Sequence, residues 1–333
     1  MLRKRNDTLQ IFKLIASYMV VFIHIYFYGK VGIIADALAR FAVPFFFLIS
    51  GFYSYGCTPE KIKKRIKHIF GLILFAIIAY TAYDISLMLL QDNYGGIVTY
   101  FKAYFLPQRW HGLLLFNLPI YKTHLWYLFA ILWVYIIYFF ALRFNLPQNL
   151  LYIVGFVLLI VHLTLGELLS AFKTVLLIHY VRNWALMGLP FFLIGLLVYK
   201  HREKLANIPN LFSLTLLVLG IATTLLSRTY IGKNELYLGS LFILFAVITL
   251  SIKYADKQYP KALVKIAGCS TYIYIFHVMI ISATQILYGV LNINAYTPVW
   301  QMIQPLIICL LSTIFAFFLN EITSKTKKKP ITK

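Results

Sequence analysis

A chain of 333 residues that is 61% hydrophobic, 17% aromatic and only 12% charged lies far from the composition of a soluble globular domain. It reads as an all-α, polytopic membrane helix bundle. A net charge of +21 does not require nucleic acid here, because Lys and Arg beside a membrane are each attracted to the anionic inner leaflet by about 1 kcal/mol.

In chain order, windows of about nineteen residues give about ten spans, at 9–29, 37–57, 69–90, 125–143, 150–170, 185–200, 211–227, 237–252, 267–291 and 299–320. No polar linker, repeat or low-complexity stretch divides them, so the expectation is a single membrane domain over 1–333. The first span has the basic start of a signal peptide, but its apolar run is long for one and no small-residue cleavage site follows. It is read as a retained helix. Cys57, Cys269 and Cys309 are scattered through apolar sequence, which argues for packing rather than for disulfides or a metal site.

Charge orients the bundle, since cytoplasmic loops carry the excess Lys and Arg. With ten spans and both termini cytoplasmic, 22 of the 31 Lys and Arg residues fall inside, including Arg3, Lys4, Arg5, the Lys61–Lys67 cluster, Lys329 and Lys333, and nine fall outside. The expected location is the cell membrane, with the lipid bilayer as its first partner. The longest stretch between spans, 91–123, is then external, and loops of this length are commonly functional.

Ionisable residues inside spans are costly and mark functional cavities. His24 lies eleven residues beyond Lys13 in the first span, roughly 16 Å at helical rise, so the two belong to opposite leaflets and His24 faces outward. On the same assignment Arg40 opens the second span, and Asp84, His124, His162, Glu167 and Arg182 fall in the outer half. His277 is near mid-depth. Together these residues predict a polar chamber open to the outside.

Such a chamber suits acyl transfer to a hydroxyl, which needs a base, an oxyanion stabiliser and a positioned donor. His24 is the candidate base, with an ordinary pKa near neutrality, or a covalent acyl carrier. Arg40 is a candidate for orienting the acceptor or stabilising the oxyanion, and Asp84 or Glu167 for orienting the histidine. The sequence has no GxxxxGK phosphate loop, no HExxH zinc motif and no GxSxG elbow. Neither metal nor a tightly bound cofactor is expected.

Lys13 to His24 with the following PFFFLISGF, then HLWYL at 124–128, RNWALMGLPFFLIG at 182–195 and STYIYIFH at 270–277, resemble the acyltransferase-3 family of integral membrane acyltransferases in the family's own order. Lys13 stands where many members carry Arg, and Gln10 where many carry an acidic residue. The resemblance implies cytoplasmic acyl-coenzyme A, most often acetyl-coenzyme A, as co-substrate and a hydroxyl of an extracytoplasmic glycan, wall polymer or lipid-linked sugar as acceptor. Within these segments Lys13, His124, Trp126, Tyr127, Arg182 and His277 are candidate substrate or donor contacts, and Glu167 joins them by its depth in the fifth span. HLWYL and RNWALMGLPFFLIG are also similar to the membrane half of serine racemases linked to glycopeptide resistance. That likeness implies a serine-binding or transport module as the alternative, beside a surface-glycan exporter.

Overall fold

The computed structural model describes residues 6–328. Arg3, Lys4, Arg5, Lys329 and Lys333 of the charge argument lie outside the described residues, as do the side chains of Lys325, Lys327 and Lys328. Helices alone form the secondary structure of the described residues. Eight are long and apolar enough to cross a membrane: α1 (Asp7–His24), α2 (Gly29–Phe52), α3 (Pro59–Leu90), then, beyond the short α4 (Tyr94–Lys102) and α5 (Pro107–Phe116), α6 (Thr123–Arg143) and α7 (Gln148–Ala171), and the helices that begin at Asn210, Ser270 and Pro298. Shorter apolar helices, α8 (Trp184–Lys200) and α10 (Leu238–Lys253), flank α9 (Asn210–Tyr230), and α11 (Ser270–Val290) and α12 (Pro298–Lys328) complete the chain. Each expected span therefore has its helix.

One boundary is corrected. The second span starts at Gly29 and not at 37, so Arg40 sits at the middle of α2 rather than at its outer start. The helix can run through because its strain is absorbed locally. Pro44 cannot donate to the carbonyl of Arg40, and the turn Ala39–Phe41 at that place tightens to 3-10 geometry. The stretch 91–123 holds two short helices, α4 and α5.

The chain divides into two compact units. In the unit formed by residues 1–45 and 202–333, α1 is the central element. Asn6 caps it by accepting from the Leu9 N–H at 2.9 Å and donates to the Ser251 carbonyl at 2.8 Å. Leu14, Val21 and Ile25 pack with Ile273 and Ile281 of α11 and Ile308 and Cys309 of α12. Two buried polar bonds fix the register: Ser17 to the Ser270 carbonyl at 3.1 Å and Tyr18 with Thr313 at 2.8 Å.

In the unit formed by residues 46–201, the end of α2 crosses α8 at backbone distance. A Cβ on Gly51 would lie 1.8 Å from the Phe192 carbonyl oxygen, and one on Gly195 would lie 2.1 Å from that of Leu48. Only glycine fits at either position, which explains the Ser-Gly pair of PFFFLISGF and the final glycine of LPFFLIG by one contact. Arg65 of α3 holds the end of α2 by donating to Ser54 Oγ and to the Tyr53 carbonyl, both at 2.7 Å.

Candidate active site

α1 ends at His24 because Ile25 is already extended. The His24 side chain is exposed, and its ring packs on that of His277, with centroids 5.0 Å apart and planes inclined at 52°. His277, on α11, is wholly buried. Its Nδ1 is 2.8 Å from the Tyr274 carbonyl and 3.3 Å from that of Ile273. A carbonyl only accepts, so Nδ1 carries the proton and Nε2 of the neutral ring is the acceptor. His24 and His277, both singled out in the sequence for their depth in a span, are thus brought ring to ring.

His24 opens on a cavity of about 690 Å³ at the ends of α1 and α11 and the start of α12. Its polar lining is His24, Tyr26, Gln285, Asn294, Gln301 and Gln304, with the phenols of Tyr288 and Tyr296. Among the described residues that line it there is no carboxylate, Lys or Arg. Amide and hydroxyl groups that both donate and accept match an uncharged, hydroxyl-bearing molecule.

Beneath Tyr26 lies an ion cluster. Asp36 and Arg40 are four residues apart on α2, on one face, and both are buried. They form an ion pair, and Arg40 reaches across to Glu235 at 2.9 Å. The loop between α9 and α10 brings Glu235 and Lys233 to this place. Its turn uses Gly232 at φ +104°, and Tyr237 pins it by accepting from the Asn234 N–H and donating to the Gly232 carbonyl, each at 3.0 Å. Lys233 donates to the Tyr26 hydroxyl at 2.7 Å and lies 3.8 Å from Asp36. The Tyr26 hydroxyl in turn donates to Asp36 at 3.4 Å. Two cations and two carboxylates thus meet, and Tyr26 is the group through which they face the cavity. The two terminal nitrogens of Arg40 are turned to carboxylates, so Arg40 communicates with the cavity through Asp36 and Tyr26.

Lys13 is half-buried on α1. The remaining expected site residues belong to the other unit. Asp84 accepts from Lys122 at 2.8 Å, and the buried His124 pairs through Nε2 with the Tyr80 hydroxyl at 3.2 Å. Arg182 stacks 5.4 Å from the ring centre of Trp126, and Tyr127 packs on Phe47 at 4.7 Å. Glu167 is buried in a π-turn, Thr164–Leu168. A second π-turn, Trp184–Gly188, opens α8 where Pro190 withholds its donor from the Leu186 carbonyl. Asn183 caps that turn by accepting from Ala185 and Leu186, both at 2.9 Å.

A family model described as an acyltransferase domain, Acyl_transf_3, matches residues 6–321. The chain belongs to the acyltransferase-3 family. It is therefore a membrane acyltransferase, and the match runs without interruption through both units. No curated protein and no solved structure matches the chain.

Sequence reasoning singled out His24, Arg40 and His277, which the structure places in this unit, but did not single out Asp36, Lys233, Glu235 and Tyr26 beside them. Asp36 had a signal, since an acid four residues before Arg40 on a helix is its natural partner. Glu235 and Lys233 had none, because they come from a loop almost two hundred residues away.

Proposed function

We propose that this acyltransferase moves an acetyl group from cytoplasmic acetyl-coenzyme A to a hydroxyl of an extracytoplasmic sugar or polymer, with both termini cytoplasmic and His24 as general base. The observation that carries the reading is the exposed His24 imidazole, packed on buried His277, at the edge of an uncharged polar cavity. An acceptor hydroxyl in that cavity gives its proton to His24 while its oxygen attacks the thioester carbonyl carbon. The tetrahedral oxyanion collapses, the carbon–sulfur bond breaks, and the departing thiolate takes the proton back from the imidazolium. The products are the acetyl ester and free coenzyme A.

His277 positions His24 by packing, and Asp36, Arg40, Glu235 and Lys233 position Tyr26. Tyr26 is the candidate hydrogen-bonding group for the acceptor or the oxyanion, because it lines the cavity and its hydroxyl, polarised by the Lys233 ammonium, can turn its one proton from the long bond to Asp36 toward a bound oxygen. Lys13, His124, Trp126, Tyr127 and Arg182 remain proposed donor contacts by family resemblance, and Glu167 by its depth in its span. The basic face near Lys61 supports cytoplasmic entry of an anionic carrier.

The test is transfer of radiolabel from acetyl-coenzyme A to an extracytoplasmic acceptor in membranes holding the wild type or His24→Gln. Transfer by the wild type and its loss in the variant support the reading, and undiminished transfer by the variant removes His24 from the chemistry. A hydroxylamine-sensitive label on the wild-type protein itself would replace the base by an acyl-carrying histidine.

A further inference from the structure

The unit of residues 46–201 contains a second cavity, of about 220 Å³, enclosed by α3, α4, α5 and α6. Its character is opposite to that of the first. The floor is formed by Ile73, Leu113 and Leu125, all buried, and the rim by Phe70 and Leu74 of α3, both exposed. The one charged side chain among the described residues that line it is Lys122. Its ammonium donates to Asp84 at 2.8 Å and lies 5.2 Å from the centre of the Tyr80 ring. An ammonium has three donors, and Asp84 takes one.

Water is poorly served here, since a buried water needs two to four polar partners, the floor offers none, and the polar atoms of Tyr80, Tyr100, Trp110 and Tyr121 on the walls are already bonded to His124, Thr81 and backbone carbonyls. Phe70 and Leu74 lie within a span-length helix, so the mouth opens where hydrocarbon chains are the solvent. At the other end, a partly exposed lysine with two remaining donors is the complement of a phosphate oxygen.

We propose that this cavity is a lipid site that holds one acyl chain of a bilayer phospholipid, with the lipid phosphate drawn to Lys122. A polyprenyl phosphate shares the chemistry, but phospholipid chains are the bulk medium at the mouth and fill the site by mass action. Bound there, the chain packs under α4 and α5, two helices of nine and ten residues that are too short to be stable on their own. The site is independent of the acyl-transfer reading.

The wild-type protein in nanodiscs containing phosphatidylglycerol with a mid-chain diazirine is photolysed and its adducts mapped by peptide mass spectrometry. Adducts are expected on the floor residues Ile73, Leu113 and Leu125 as well as on exposed faces such as Ile78. Adducts confined to the exposed faces overturn the proposal. Ile77→Trp, which fills the cavity from its wall, is expected to remove the floor adducts and keep the exposed ones, and persistence of the floor adducts counts against the site. Lys122→Gln is expected to lower floor labelling by phosphatidylglycerol, and unchanged labelling overturns the phosphate contact. Floor labelling by a polyprenyl phosphate diazirine but not by the phospholipid would assign the cavity to that lipid instead.

Discussion

His24 and His277 stand ring against ring at 5.0 Å, one exposed to a polar cavity and the other wholly buried. The buried ring is fixed by its own helix, through Nδ1 and the Tyr274 carbonyl. The exposed ring ends α1 and packs on the buried one. Their roles in acyl transfer should separate accordingly. His24→Gln keeps hydrogen bonding but cannot exchange a proton near neutrality, and should lower turnover by about 10²–10⁴-fold, the usual contribution of a positioned base. His277→Gln should lower it less and should also lower the melting temperature in detergent. Equal kinetic losses without loss of stability would make His277 a second chemical group.

The ion cluster predicts a contrast in stability. Arg40→Ala leaves Asp36 and Glu235 facing each other in a buried place, and breaking such a pair costs about 3–5 kcal/mol. Lys122→Ala breaks a partly exposed pair with Asp84, where about 0–1 kcal/mol is usual. Thermal unfolding of the two variants in one detergent checks this, and similar shifts would show that the α2 cluster is hydrated.

Tyr26→Phe tests the link between cluster and cavity. The ring keeps its place over the Lys233 ammonium, 5.3 Å away, and only the hydroxyl is lost. If that hydroxyl meets the acceptor or the oxyanion, turnover should fall with little change in melting temperature. Lys233→Met should then produce a loss that is not additive with it, because the two groups act as one. Additive losses would separate the lysine from the tyrosine.

Much of the fold was legible because it rests on local properties: length, apolarity and the position of basic residues locate helices without tertiary information. The glycine crossing was also half visible, since PFFFLISG and LPFFLIG each advertise a close approach, although not to each other. The depth of Arg40 was misjudged because hydropathy windows stop at charges, and a charge neutralised by Asp36 one turn away does not stop a helix. The ion cluster behind the cavity was out of reach. Tyr26 and Lys233 meet across 207 residues, and pairing at that range leaves no local pattern.

The glycine crossing makes a prediction of its own. Gly195→Leu forces side-chain atoms into the Leu48 carbonyl, 2.1 Å from the ideal Cβ position. Overpacking costs typically about 1–3 kcal/mol, and backbone on the other side cannot turn away as a side chain would. The variant should give little monodisperse protein on size-exclusion chromatography. Gly71→Leu, on an open helix face with nothing within 4 Å, should behave as the wild type.

The last prediction concerns the donor. Lys61, Lys63, Lys64 and Lys67 are exposed on the first turns of α3, whereas Arg65 within the same run turns inward to Ser54 and the Tyr53 carbonyl. Only the four lysines can attract a polyanionic carrier from solution, and attraction between exposed charges is screened over about 10 Å at 0.1 M salt. Replacing the four by Gln should therefore raise the apparent KM for acetyl-coenzyme A at low ionic strength, and the difference should shrink as salt is added. Arg65→Gln should leave that salt dependence alone and destabilise the end of α2, with the loss read as a lower melting temperature. A KM unchanged by the four substitutions at every salt concentration would reduce the lysines to a topology signal held at the inner leaflet, and the donor would then be recognised by groups other than this cluster.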